Sequence, residues 1–368
     1  MVGWERCVLR PGFVIEKWLT IRWPGVFSIY TFALTNFLLV GVALACCLYA
    51  CRSSVLQGMA LAAVWLAFNR LSYALSVSAN PEFLELAFLA IAWVATSRGS
   101  QSVQGASTAA ALTKLVPVIF LIAPAIRRQW YSLIAFVVIY VPVVILVGYG
   151  QGMSPVQTAL ETVFPFHSSV RKSVALPVAH GEYLGLNSAI GRVVIGSWDG
   201  DTAEAVKVSL WLVQAITACI LAGLVAACTW AIYTLHRSRV VSPNSAVALT
   251  YALLFGLMPL ATLNAHQHTF IFLLPTFAAL ISVLAQDEPS TMRRAIFGSA
   301  FLACYVYLGV PAALLLIDRV LRSSMVSWWA KAEPIWGTLL LMGLMLGYVL
   351  VRSRSNTHLT AAVKGRVE

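Results

Sequence analysis

Apolar runs long enough to enter a lipid bilayer recur along the whole chain, and they constrain its fold more than any other feature. Inside a bilayer the backbone must satisfy its own hydrogen bonds, so long apolar runs fold as helices. Hydrophobic residues make up 60% of the 368 positions and charged residues 11%, whereas soluble domains have about 45–50% and about 25%. We therefore predict an all-α, polytopic transmembrane helical bundle.

The lengths of the runs predict about 9–11 helices, of which some are too short to cross the bilayer and form hairpins instead. The predicted spans are Val26–Ala50, Val55–Phe68, Phe83–Thr96, Val103–Thr113, Val116–Ile126, Tyr131–Tyr149, Ser209–Leu235, Val241–Leu263, Phe270–Leu284, Ala295–Ile317 and Ile335–Val351.

The net charge of +11 occurs in short clusters between the apolar runs, so it indicates membrane topology and not a nucleic-acid surface. Lys114 and Pro117 interrupt residues 103–126, which could form one kinked helix or a hairpin. A hairpin with Lys114 at an outer tip puts twelve basic and three acidic residues on the inner side. The positive-inside rule therefore favours the hairpin. The inner basic residues are Arg52, Arg98, Arg127, Arg128, Arg237, Arg239, Arg293, Arg294, Arg352, Arg354, Lys364 and Arg366.

This topology divides the chain into an outer N-terminal segment (1–25), one transmembrane domain (26–351) and a cytoplasmic tail (352–368). A long outer loop covers residues from about 150 to 208 and contains five of the 14 acidic residues. Connections of this length in compact proteins are usually functional or disordered.

Polar and ionisable side chains collect at the predicted outer ends of the spans, and such groups are candidates for a functional site. Glu82 follows Pro81 at the start of a helix, where the helix dipole favours a carboxylate. Lys114 could bind a phosphate or simply reach the membrane surface. For the other polar candidates, helix capping or a simple surface position would explain the residue type without a functional role. The candidates are Arg70, Asn80, Glu82, Glu85, Lys114, Asn187, Arg192, Asn264, His266 and His268.

The sequence offers no recognisable metal site. The seven Cys residues form no pair of CxxC motifs, and they are expected to be small apolar residues of the helices. His266 and His268 are two residues apart, so on a helix they would not share a face.

Three segments of the chain resemble segments of the integral membrane glycosyltransferases of the GT-C superfamily, most closely glycosyltransferase family 87. The resemblance rests on the order of the segments and on their common side of the membrane. The first is the turn Ala79–Leu84. The second is the break Lys114–Pro117, which follows the small-residue run Gly105–Leu112 and precedes Arg127-Arg128-Gln129-Trp130. The third is the segment Leu263–His268 before Pro275. Asn187-Ser188 with Arg192 is a weaker fourth similarity.

The resemblance implies a sugar donor of the polyprenyl-phosphate type, mannose or a similar sugar, and a glycan or glycolipid acceptor. It implies a bacterial plasma membrane with the active face outside, and membrane lipids but no nucleic acid as partners. Glu82 or Glu85 would supply the catalytic carboxylate. The Lys, Arg, Asn and His candidates would bind phosphate or sugar. A divalent cation is compatible with such enzymes, although no ligand set can be named.

Members of this family have an additional first helix followed by an outer loop with a catalytic Asp, and residues 1–25 contain Glu5 and Glu16 but no Asp. The chain is then expected to be N-terminally truncated, to use another carboxylate, or to be an accessory subunit. A further alternative is a lipid-linked oligosaccharide polymerase or ligase, which would depend on Arg171, Arg192, His167 and His180. A transporter is disfavoured, because no inverted repeat is detectable.

Overall fold

The computed structural model of the protein describes residues 29–52, 55–68, 82–112, 116–150, 152, 154, 156, 185–195, 203–237, 241–262, 265–309 and 333–364. Their regular secondary structure is helical, which confirms the predicted all-α bundle. The α-helices are α1 (Ile29–Ala50), α2 (Val55–Ala67), α3 (Glu82–Ser97), α4 (Gln101–Ala110), α5 (Ile122–Ile126), α6 (Trp130–Gly150), α7 (Leu186–Ile195), α8 (Ala203–Arg237), α9 (Pro243–Ala261), α10 (Leu273–Asp287), α11 (Thr291–Gly309) and α12 (Glu333–Lys364). Two 3-10 helices, Val116–Leu121 and Gln267–Phe272, lead into α5 and α10.

Five helical segments of the described chain are long and apolar enough to cross a membrane. They are Trp130–Gly150, Leu212–Arg237, Pro243–Ala261, His268–Asp287 and Pro334–Arg354. The shorter helices pack between or beside these segments. The protein is therefore a polytopic helical membrane protein.

Helices α9 and α6 occupy opposite environments in the bundle. Of the apolar part of α9, 89% is buried, and its neighbours include α3, α8, α10 and α12. Only 12% of α6 is buried, although it is the most apolar of the five candidate spans. Its exposed rings Tyr131 and Tyr149 are about 27 Å apart along the helix axis. This spacing suits the two interfaces of a bilayer, where aromatic side chains concentrate.

The described elements on the two sides of residues 113–115 pack against each other as the two arms of a hairpin, as the charge pattern predicts, and do not form one kinked helix. Arg98 precedes α4 and Arg127 follows α5, and both line the same cavity. The chain therefore returns to the end of the bundle from which it started. Helix α4 also packs against the 3-10 helix Val116–Leu121. The tip, residues 113–115, lies outside the described residues.

Close packing of small residues fixes this hairpin against α6. A side chain at Gly105 would collide with the backbone carbonyl of Ser132. Backbones that approach this closely require glycine, as is common between membrane helices.

Among the predicted inner arginines, those with described side chains lie at or beside one end of the bundle. Arg98, Arg127 and Arg352 line one cavity. Arg294 donates to the Glu288 carbonyl, just after α10. Arg52 follows Cys51, and the Cys51 carbonyl accepts a hydrogen bond from Gln286 near the end of α10. The charge pattern thus identified a common end, and we call it the arginine end.

Several helices begin or end at residues other than those predicted. Helix α12 continues to Lys364, whereas the last span was predicted to end at Val351. Charged and polar residues end an apolar run without ending a helix, because many of them favour helical structure. The predicted outer loop of residues 150–208 contains α7 and the first turn of α8.

Candidate active site

Two buried carboxylates open helix α3 at the end opposite the arginine end. Glu82 and Glu85 are each only 1% exposed. They are three residues apart, so both lie on the same face of the first helical turn. Both carboxylates therefore lie next to the partial positive charge of the helix N-terminus. Helix α3 is about 24 Å long, so Arg98 beyond its last turn is far from Glu82.

The histidine segment between α9 and α10 approaches the same turn. The Nε2 atom of His268 lies 3.5 Å from Oε1 of Glu82. This distance suits an ion pair when the imidazole is protonated. The structure therefore brings together two predicted site residues that are 186 positions apart in the sequence.

His266 and His268 are stacked, with ring centroids 5.2 Å apart and an interplanar angle of 22°. The sequence prediction that they point to different faces assumed a helix. His266 instead has extended backbone angles and precedes the 3-10 helix, so its ring can lie over that of His268.

Thr269 holds this turn in place, and sequence reasoning missed it. The backbone N–H of His266 donates to Oγ1 of Thr269 at 3.2 Å, and the Thr269 N–H donates to the His266 carbonyl at 3.0 Å. Thr269 is buried. A Thr three residues after a possible cap is the local signal that could have identified it.

Asn187 lies in the first turn of α7 and is buried, as its 2% exposure shows. Neither its amide nitrogen nor its amide oxygen has a hydrogen-bond partner among the described residues. Buried amides are normally satisfied, so Asn187 stays a candidate for binding a polar ligand. Its helix joins the main core through Leu186, Ala189 and Ile190.

The remaining candidates are not placed by the structure. Arg70, Asn80, Lys114 and Asn264 lie outside the described residues, and only the backbone of Arg192, in α7, is described. Their predicted roles stay predictions.

The chemistry of the cluster is that of a carboxylate next to imidazole. Glu82 can accept a proton from a hydroxyl, and the imidazoles of His266 and His268 can donate hydrogen bonds to phosphate or sugar oxygens. Among the described side chains, no group of three or more His, Cys, Asp or Glu residues is arranged to hold a metal ion.

Comparison with models of protein families matches residues 18–257 to "Glycosyltransferase family 87". The match covers helices α1 to α9, except the last residues of α9, and includes Glu82 and Glu85 but not the histidine segment. Neither the curated proteins nor the solved structures include a match to the chain.

Proposed function

This chain belongs to glycosyltransferase family 87, and from that premise we propose that it moves mannose or a similar sugar from a polyprenyl-phosphate donor to a glycan or glycolipid acceptor. It is a membrane glycosyltransferase. The identity of the donor, the identity of the sugar and the assignment to the GT-C type are our proposals. Its five apolar helices suit a donor whose lipid tail stays in the bilayer.

One observation supports the location of catalysis: the buried Glu82 carboxylate faces His268 at 3.5 Å, at the end of a membrane bundle. In the proposed reaction Glu82 accepts the proton of the acceptor hydroxyl as the hydroxyl oxygen attacks the anomeric carbon. The bond from that carbon to the donor phosphate breaks, and the phosphate leaves with the electron pair. The transfer is inverting. Glu85 is the second candidate for the base.

Cations and hydrogen-bond donors near the leaving phosphate stabilise the charge that develops there. We assign this role to Lys114 and Arg192, with Arg70 as a further cation, and to the imidazoles of His266 and His268. Asn80, Asn187 and Asn264 are assigned to sugar or phosphate oxygens. The unpartnered buried amide of Asn187 supports its share of this role.

The distribution of charge supports an outer location for the Glu82 end. Nine arginines with described side chains lie at or beside the arginine end, and positive charge concentrates on the cytoplasmic side of membrane proteins. They are Arg52, Arg98, Arg127, Arg128, Arg237, Arg293, Arg294, Arg352 and Arg354. We therefore propose that the site faces the outside of the cell. The bacterial plasma membrane is what the family resemblance implies.

The proposal is tested with the full chain in proteoliposomes. Polyprenyl-phosphate mannose with a radiolabelled sugar is supplied as donor, and a glycolipid extract from cells that lack the protein supplies the acceptor. We expect transfer of label to glycolipid from this donor and none from GDP-mannose. The corresponding polyprenyl-phosphate glucose and arabinose donors identify the sugar.

Two results would overturn the proposal. One is transfer from GDP-mannose that equals or exceeds transfer from the lipid-linked donor. The other is the absence of transfer from all three lipid-linked donors, in a preparation whose folded state is verified by a cooperative thermal transition.

A further inference from the structure

A cavity of about 1080 Å³ lies at the arginine end of the bundle. Its lining comes from the last turns of α3 and α8, the first turn of α9, the end of α10, and α12. Its polar side chains include Arg98, Arg127, Arg352, His236, Asn244 and Asp287. This cavity is separated from Glu82 by the length of α3, so it is distinct from the candidate active site.

Two of the three arginines in the lining are held by neighbouring groups. Arg98 donates from Nε to the hydroxyl of Tyr49 at 2.9 Å, and its guanidinium lies 4.5 Å from the centroid of that ring. Arg352 donates from Nη2 to the carbonyl of Asp287 at 3.1 Å and lies 3.8 Å from the Glu288 carboxylate. Both positive charges are therefore fixed in position at the cavity wall.

Arg127 differs from these two. Its Nη1 atom is buried and has no hydrogen-bond partner within the described part of the chain. Burial lowers the pKa of its guanidinium from the usual value, but arginine keeps its charge at neutral pH. A buried, charged donor without an acceptor is unfavourable, and an anion in the cavity would supply the acceptor.

The acidic member of the lining is already engaged. Oδ2 of Asp287 accepts the backbone N–H of Ser242 at 2.9 Å, just before α9 begins. The Ser242 hydroxyl in turn accepts the N–H of Ser245 at 3.3 Å. Asp287 thus interacts with the N-terminus of α9, and no hydrogen bond joins its carboxylate to Arg127 among the described residues.

The rest of the wall combines the hydroxyl side chains of Thr96, Ser97 and Ser242 with apolar side chains. The apolar ones include Leu235, Val241 and Val247. A wall that combines arginine side chains with aliphatic ones suits a ligand whose anionic group continues into a less polar part. Planar guanidinium groups recognise phosphate oxygens in pairs.

We propose that this cavity is a binding site for a phosphate ester, with Arg127 as its principal contact. The ester comes either from the headgroup of an anionic membrane lipid in the adjacent leaflet or from a soluble phosphate compound. Anionic lipids are attracted to basic pockets at the cytoplasmic ends of membrane helices. The site does not depend on the proposed sugar transfer, and its test uses no sugar donor.

The test is native mass spectrometry of the delipidated full-length protein, titrated separately with phosphatidylglycerol, phosphatidylcholine and glycerol 3-phosphate. We expect retention of one phosphatidylglycerol or one glycerol 3-phosphate, at least about tenfold tighter than phosphatidylcholine. Arg127→Gln should weaken that binding about tenfold or more, because a charged hydrogen-bond donor is lost. Arg128→Gln is the matched control: this neighbouring arginine is exposed and does not line the cavity, so binding should stay the same.

The two anionic probes distinguish the sources of the phosphate. Binding of phosphatidylglycerol alone supports a lipid headgroup, and binding of glycerol 3-phosphate supports a soluble ester. If Arg127→Gln does not fold, as judged by its thermal transition, Arg98→Gln replaces it with the same expected loss. Failure of both anionic probes to bind, or equal losses in the cavity variant and in Arg128→Gln, would overturn the proposal.

Discussion

The two ends of the bundle are built on the same three helices, α3, α9 and α10, but they present opposite chemistry. At one end the buried carboxylates Glu82 and Glu85 meet a stacked pair of histidines. At the other, Arg98, Arg127 and Arg352 surround a cavity. These differences match the two proposed roles, because proton transfer requires a carboxylate close to its partner, whereas binding of an anion requires fixed positive charge and space.

Both ends also contain one buried glutamate that faces one basic side chain. Glu82 lies 3.5 Å from His268, and Glu288 lies 3.8 Å from Arg352. Arg352 carries a permanent positive charge and also donates to the Asp287 carbonyl, so its contact with Glu288 belongs to the packing of the arginine end. An imidazole can change its protonation state near neutral pH. The partner therefore distinguishes a structural carboxylate from a candidate catalytic one.

The largest expected effect comes from a substitution between the two ends, which should disable both. Gly105→Ala places a methyl group against the Ser132 carbonyl, and overpacking of this kind costs about 1–3 kcal/mol or more. We expect a lower thermal transition and loss of both sugar transfer and phospholipid binding. Gly41→Ala, where nothing lies within 4 Å of an added methyl group, should leave all three measurements unchanged. Equal behaviour of the two variants would contradict the proposed close packing of α4 on α6.

Next in size is the effect of Lys114→Gln on sugar transfer. Loss of a cation that stabilises the leaving phosphate should lower kcat by about 10²–10³-fold. Arg171→Gln should leave kcat essentially unchanged, since Arg171 belongs to the polymerase alternative. The measurement is the initial rate in proteoliposomes at saturating donor. A large loss in Arg171→Gln with little change in Lys114→Gln would favour the polymerase or ligase instead.

A smaller effect on sugar transfer is expected from replacing His268, and His236 at the opposite end of the bundle provides the control. His268→Ala removes the imidazole that lies 3.5 Å from Glu82 and its proposed hydrogen bond to the charged donor phosphate. A loss of about 1.5–3 kcal/mol is expected, which corresponds to about a 10–100-fold lower kcat/KM. His236→Ala at the arginine end removes the 3.1 Å contact between Nε2 and the Thr250 hydroxyl. This control should lower thermal stability but not the transfer rate per folded molecule. Similar losses of transfer in both variants would remove the distinction between the ends.

The smallest effect, on stability alone, is predicted for Tyr251→Phe. Tyr251 lies within the bundle near the arginine end. Its hydroxyl lies 2.7 Å from Oγ1 of Thr96 and 3.5 Å from Nε2 of Gln104. We expect a loss of about 1 kcal/mol in the free energy of unfolding, with transfer and phospholipid binding unchanged. The measurement is denaturant-induced unfolding in detergent. A change in transfer without a change in stability would indicate that this hydroxyl contributes to the site.

The sequence predicted the parts of this fold that depend on composition and local charge. The helical membrane bundle, the hairpin around Lys114 and the common end of the arginines all follow from apolar runs and from the positions of basic residues. Which helix lies at the centre did not follow. The most apolar span, α6, is the one least buried, because lipid tails are as apolar as a protein interior and attract the most apolar surfaces.

The candidate site was predicted only in part, for a different reason. Glu82 and His268 were each identified from their positions beside apolar runs, but the contact between them joins distant segments of the chain. Stacking of His266 on His268 depends on the extended backbone of His266, which was not predicted because the two histidines were considered on a helix. The arginine cavity was not predicted, because Arg98, Arg127 and Arg352 were assigned to topology alone and come together only in the folded bundle.

The central claim, that sugar transfer takes place at the Glu82 end, is tested most directly by comparing Glu82→Gln with Glu288→Gln. Both variants neutralise a glutamate that is 1% exposed, and kcat is measured in proteoliposomes per molecule of folded protein. Glu82→Gln should lower kcat by about 10²–10⁴-fold, as expected for loss of a general base. Glu288→Gln should match the unmodified protein. A Glu82→Gln variant that transfers sugar as fast as Glu288→Gln would contradict the account.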